Sequence, residues 1–151
     1  VLFHEYSLRE SSGGAGEKRG GFGVNYTVEL LRGEAQASFV MDHGRVGPQG
    51  ALGGQDGLPN AVTVYRNGEK YVPEHLSKDQ DIPIAPGDVV AVGTPGGGGF
   101  GDPRKRPPEL VLQDVRRGYY TIEEARDMFG VVLSSDLTSV DGPATNALRG
   151  A

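Results

Sequence analysis

Ala61-Val62-Thr63-Val64-Tyr65-Arg66-Asn67-Gly68-Glu69-Lys70-Tyr71-Val72 is the stretch that decides the fold class. Ala61 to Arg66 is rich in β-branched and aromatic residues, and Glu69 to Val72 continues in the same style after a two-residue break. Asn67-Gly68 suits the two positive-φ positions of a type I′ turn, the turn whose twist matches the strands of a hairpin. The stretch therefore predicts an antiparallel hairpin.

The same pattern extends outward. Ile82-Pro83-Ile84 and Asp88 to Thr94 flank Pro86-Gly87 and predict another strand-turn-strand element, with Pro83 at an edge or bulge because it cannot donate to a ladder. Upstream, Val24, Tyr26, Val28 and Leu30 alternate with polar residues. Arg32-Gly33 offers a turn, and Ala35, Ala37, Phe39 and Met41 alternate again, so a hairpin is expected here too. Leu2, His4, Tyr6 and Leu8 predict a first strand within Val1 to Arg9. Between these elements, Ser11 to Gly23 is glycine-rich, and His43 to Asn60 holds glycines and prolines without periodicity, which reads as a long structured loop.

The pattern turns helical after residue 107. Pro108 fits a first helical turn, Val111, Leu112 and Val115 form one face, and Gly118 lies where a C-terminal cap is expected. Thr121-Ile122-Glu123-Glu124 is a capping-box signature, with Ile122, Ala125 and Phe129 at helical spacing before Gly130. The expected fold is mainly β (α+β): an antiparallel β-sheet domain with long Gly-rich loops and two short C-terminal helices. Residues 1–133 form the domain; residues 134–151, small and polar, are expected as a flexible tail.

Composition narrows the function classes. A chain of 151 residues fits one domain, and with only 36% hydrophobic residues but 25 glycines its core is small. A net charge of −5 argues against nucleic-acid and anionic-membrane surfaces, leaving small molecules or proteins as partners. With no cysteine there is no disulfide, thiolate metal site or cysteine nucleophile, an absence compatible with the cytoplasm. No apolar run approaches the roughly 20 residues of a spanning helix. The opening Val1-Leu2-Phe3, already strand-like, reads as the start of a fragment.

Thr94-Pro95-Gly96-Gly97-Gly98-Gly99-Phe100-Gly101-Asp102-Pro103 formally contains G-x-G-x-x-G. A dinucleotide fingerprint needs a helix opening within the motif, and a Walker loop needs Lys-Ser or Lys-Thr after it; neither follows. Two readings remain: a crossing or turn that only glycine can make, which ranks first, and a main-chain contact to an anion or substrate. On the second, Gly97, Gly98, Gly99, Phe100 and Asp102 are the candidate substrate or phosphate contacts, together with Arg19 of the first glycine tract. Arg19 could grip a carboxylate or phosphate bidentately, or pair with an acidic residue of the same domain. Arg104-Lys105-Arg106 reads as a solvated turn. The sequon Asn25-Tyr26-Thr27 falls inside an expected strand and is discounted. The histidines His4, His43 and His75 lack metal-ligand spacing, so neither a metal site nor a catalytic residue is assigned.

Three segments together resemble one family. Ser12 to Gly16 with Arg19-Gly20-Gly21-Phe22-Gly23 resembles S-G-G-A-G-x-x-R-G-G-x-G, and Thr94 to Pro103 resembles T-P-G-G-G-G-[YF]-G-D-P. Pro108 to Val111, Asp114-Val115, Gly118 and Phe129-Gly130-Val131-Val132-Leu133 resemble P-E-x-V-x-x-D-V-x-x-G and Y-G-V-V-L, with Phe129 departing from the commoner Tyr. The family is hydantoinase B/oxoprolinase, with the acetone and acetophenone carboxylases as relatives.

The resemblance implies a C-terminal piece of the B subunit of an ATP-dependent cyclic-amide hydrolase, supporting ring opening of a hydantoin or oxoproline. The alternatives are a non-catalytic subunit-docking module of the same complex or the corresponding part of a carboxylase. It implies, as partners, a hydantoinase A/oxoprolinase-type ATPase subunit, the upstream part of the B subunit and a small cyclic amide substrate. ATP and a divalent metal are implied for the full enzyme, with no cofactor bound by this piece.

Overall fold

Alternating residues in the strands dictate one apolar sheet face, and that face organises the larger part of the molecule. The computed structural model describes residues 1–150. Among them lie β1 (Leu2–Leu8), β2 (Val24–Glu29), β3 (Ala35–Val40), β4 (Ala61–Arg66), β5 (Glu69–Tyr71), β6 (Lys78–Ile84) and β7 (Val89–Gly93). A 3-10 turn (Pro103–Lys105) then precedes α1 (Pro108–Arg116), α2 (Ile122–Asp127) and α3 (Gly142–Arg149). The strands form a five-stranded antiparallel sheet, ordered β1-β2-β7-β4-β5, and a β3-β6 ribbon.

Register explains the first core. Tyr26, Val92 and Val62 lie opposite one another across β2, β7 and β4, and Val90 faces Val64 one step further. Phe39, Ile82 and Ile84 of the ribbon pack with Val62, Val64 and Val92, all buried. Each such aliphatic side chain contributes roughly 1.5–3 kcal/mol relative to exposure. A second core joins Val111, Leu112 and Val115 of α1 to Tyr120, Ala125, Phe129 and Val131, with Ala15 of the first glycine tract among them.

The β4–β5 hairpin forms as expected, with Asn67 and Gly68 at φ 49° and 80°. The capping box of α2 is present in both directions, and Gly118 and Gly130 adopt left-handed φ. The other two hairpins do not form. β2 is flanked by β1 and β7, while β3 pairs with β6, so Arg32-Gly33 carries the chain from one sheet to the other. The turn at Pro86-Gly87 is real, with the Asp88 amide donating to Ala85 O at 3.0 Å, but β6 and β7 also belong to different sheets. Alternation fixes which face is buried and leaves the neighbour open. Pro83 sits in the two-stranded ribbon, where each strand has a free edge.

The segment expected as a flexible tail differs as well, and the number of closing helices is three rather than two. Asp141 caps α3 by accepting from the Ala144 amide at 3.0 Å, and Thr145 is buried with its Oγ1 accepting from the Val132 amide at 3.0 Å. The Arg149 guanidinium donates to Phe129 O and Arg106 O. α3 is held by polar contacts, so its small and polar composition conceals the docking.

Candidate functional site

Without side chains, glycine backbones can approach within hydrogen-bonding distance on several sides at once, and three segments of this chain use that freedom. Residues 12–23, 47–58 and 94–101 lock into one bundle. The Gly14 amide donates to Gly97 O (2.9 Å) and the Gly97 amide to Gly21 O (2.8 Å). The Gly99 amide donates to Gln55 O (2.8 Å), and the Gln55 amide to Ala15 O (2.7 Å). Lys18 and Phe100 exchange bonds in both directions.

Among the four successive glycines of the third segment, none has a left-handed φ; only Gly101, further on, does. Their role is close approach. A β-carbon on Gly98 would lie 2.5 Å from the Gln49 carbonyl carbon, and one on Gly99 would lie 2.6 Å from that of Ala15. The crossing reading of the tract therefore describes its geometry. The amides of Gly97, Gly99 and Phe100 are engaged within the bundle, whereas the Gly98 amide has no acceptor among the described residues. The Phe100 ring is half exposed, and Asp102 Oδ1 accepts from the Arg104 amide, capping the 3-10 turn.

A charged cluster fastens the bundle to the helices. Asp114 of α1, 3% exposed, accepts from Arg19 Nε at 3.0 Å and Nη2 at 3.2 Å, and from Arg106 Nη2 at 2.9 Å. Arg19 also lies over the Phe22 ring, 4.5 Å from its centroid. The Arg19 fork thus grips an acidic residue of its own domain. Arg106 is buried, not part of a solvated turn, and its Nε has no partner among the described residues. Two cations share one carboxylate, which leaves a positive charge in the seam. Tyr120, beneath the bundle, donates to Gly13 O at 2.7 Å, and burial pushes its pKa up to about 12.

The candidates named from sequence are thus brought into one region, but Arg19 points to Asp114 rather than across the glycines. Sequence reading marks residues 43–60 as a long structured loop but does not make it the third partner of the bundle, within which Gly47, Gly50, Gly54 and Gly57 recur at spacings of three or four. It also missed Asp114, Arg106 and Tyr120. The histidines stay apart: His4 Nε2 meets Glu29 at 2.6 Å, and His43 Nδ1 lies 3.3 Å from Val46 O. Among the described residues no group of three His, Asp or Glu side chains is assembled.

Fold and site together define a glycine-laced antiparallel domain clamped to a helical cap by an Arg-Asp-Arg cluster. The family model for hydantoinase B/oxoprolinase matches residues 1–103, and the chain belongs to this family. It is 38% identical over 158 residues to the caprolactamase subunit beta of Pseudomonas jessenii, covering 100% of this chain and 26% of that one. The crystal structure of the ATP-dependent caprolactamase from Pseudomonas jessenii superposes with a TM-score of 0.78 at 35% identity, over 98% of this chain and 26% of the other. A nucleotide-free acetone carboxylase structure shares the fold, with a TM-score of 0.77 at 21% identity over 99% of this chain and 24% of its own. The chain spans about a quarter of the length of the subunit-sized curated relatives it matches and 8% of the 5-oxoprolinases.

Proposed function

We propose that this chain is part of the B subunit of an ATP-dependent cyclic-amide hydrolase and supports ring opening of a hydantoin, an oxoproline or a related lactam. The observation that carries the reading is the 38% identity to the caprolactamase beta subunit along the whole chain. The likeness to acetone carboxylase, at 21% identity, speaks for the fold and not for the carboxylase branch.

An amide carbonyl is a poor electrophile, so ring opening needs activation and a directed water or nucleophile. ATP supplies that activation when bound to the family's enzymes. Among the described residues most amides of the glycine tract donate to neighbouring carbonyls and the acidic and histidine side chains do not converge, which supports assigning the nucleotide and metal sites to the rest of the enzyme. The role assigned to the chain is that of a rigid support: the bundle fixes main-chain positions, and the Asp114 cluster fixes the bundle. The upstream part of the B subunit and an ATPase-type A subunit complete the enzyme, which we place in the cytoplasm.

A second reading, a subunit-docking module, draws on the surface of the bundle, where Phe100 is 52% and Leu52 79% exposed. The experiment that tests the main reading is reconstitution. The chain alone should neither hydrolyse ATP nor open a cyclic amide, and the full B subunit with its A subunit should do both. Turnover by the chain alone would overturn the support role. Loss of assembly with the A subunit when Phe100 and Leu52 become serine, in a B subunit that keeps its parent stability, would favour docking.

A further inference from the structure

The face of the five-stranded sheet turned away from the core carries short polar side chains, and they leave a trough of about 230 Å³. Glu5, Asn25, Thr27, Thr63 and Ala91 line it, and Arg9 lies across Gly93 at one end. A β-carbon on Gly93 would meet Arg9 Nε at 3.1 Å, so the glycine is what lets the guanidinium lie flat on the sheet.

Arg9 is held by backbone alone. Its Nη1 donates to Pro59 O at 2.6 Å, to Thr94 O at 3.0 Å and more weakly to Gly93 O at 3.4 Å. Among the described residues no carboxylate comes within ion-pair distance, and Nε and Nη2 have no protein acceptor. Arginines 19, 66 and 106, by contrast, each pair with an aspartate. A half-buried cation without a counter-charge is costly, and burial accordingly lowers the pKa of Arg9. The three carbonyls orient the group while leaving its Nε–Nη2 edge free, and that edge is a fork matched to two carboxylate oxygens.

We propose that Arg9 and this trough form a binding site for a small organic carboxylate, with the free Nε–Nη2 edge as the fork and the Thr63 hydroxyl on the floor, the Thr27 hydroxyl being turned to Glu5 at 3.5 Å. Glu5, which also lines the trough and accepts from Ser7 Oγ at 2.7 Å, disfavours a dianion. A monocarboxylate is therefore selected over phosphate. The site adjoins the glycine bundle, since Thr94 O holds Arg9 and the Arg9 amide donates to Gly23 O at 2.8 Å, but it does not depend on the hydrolase reading.

The test is a nuclear magnetic resonance titration of the full-length protein that carries this chain, isotopically labelled at arginine, glycine and threonine, with sodium acetate, and in parallel with inorganic phosphate at equal ionic strength. Acetate should shift the Arg9 Nε–H resonance and the amides of Gly93 and Thr63 saturably, and phosphate should do so more weakly. Arg9→Lys keeps the charge but removes the fork and should weaken acetate about tenfold. Should that variant unfold, Ala91→Leu fills the floor without touching the carbonyls that hold Arg9 and should weaken acetate comparably. Non-saturating shifts, stronger binding of phosphate, or acetate binding unchanged by Ala91→Leu would each overturn the proposal.

Discussion

The α-carbon of Gly20 packs onto the main-chain carbonyl of Gly97 so closely that a β-carbon at position 20 would lie 2.5 Å from the Gly97 carbonyl carbon and nearer still to its oxygen. Gly21, the next residue, has nothing within 4 Å of the same point and no left-handed φ. Adjacent glycines in one motif thus make opposite demands. Gly20→Ala should lose about 3 kcal/mol or more because backbone must move, whereas Gly21→Ala should stay within about 0.5 kcal/mol of the parent. Denaturant melts of the two variants check this, and equal stabilities would show that the bundle is not close-packed. The same steric argument, rather than an unusual φ, makes Gly98→Ala and Gly99→Ala damaging to folding.

Much of the fold was legible where the chemistry is local. Asn67-Gly68 fixes its own turn, and Thr121 with Glu124 fixes the start of α2, because each involves residues within a few positions of one another. The pairing of β2 with β7 and of β3 with β6 was not legible, since alternating residues specify a face and not a neighbour. The candidate site was half visible. All three glycine segments stood out in the sequence, two as motifs and one as a long structured loop, but the Arg19–Asp114 pair spans 95 positions, and no local pattern predicts it. α3 escaped because its anchors are a hydroxyl and a guanidinium rather than an apolar stripe.

Asp114 is the carboxylate shared by two arginines, so its loss should exceed that of either partner. Asp114→Ala leaves Arg106 buried without a counter-charge and should cost about 3–5 kcal/mol. Arg19→Met keeps the Arg106–Asp114 contact and preserves apolar packing over Phe22, so its cost should be smaller. A double-mutant cycle measures the coupling directly. Additive losses would mean that the cluster does not act as a unit.

Tyr120 sets an alkaline limit. Its folded-state pKa of about 12 lies above the ordinary value near 10, because burial penalises the phenolate. The group favours the folded state fully below about pH 10, and that contribution is lost as the pH rises through about 12. Stability measured from pH 9 to 12 should therefore fall in the parent. Tyr120→Phe should show a shallower fall, from a lower starting stability, because Gly13 O loses its donor. Identical slopes in the two proteins would show that Tyr120 titrates as an exposed phenol.

Thr145 tests whether α3 is docked through its hydroxyl. The side chain is 1% exposed, and its Oγ1 accepts from the amide of Val132, at the end of the run that follows α2. Valine has nearly the same shape but offers no acceptor, so Thr145→Val leaves a part-buried N–H unpaired while conserving packing. The expected cost is about 1–3 kcal/mol. Thr145→Ser keeps the acceptor and removes one methyl, so it should cost less, about 1 kcal/mol. Amide hydrogen exchange separates the two mechanisms. With Thr145→Val, exchange at Val132 should accelerate together with that of the α3 amides, because the helix has few apolar contacts to hold it once this bond is gone. The Asp141 amide, which donates to Val132 O at 2.8 Å, should follow, since the two bonds close the same junction. Protection at Val132 unchanged by the valine, or lost equally with serine, would place the anchor of α3 elsewhere, with the bonds of Arg149 to Phe129 O and Arg106 O and of Arg104 to Leu148 O as further connections.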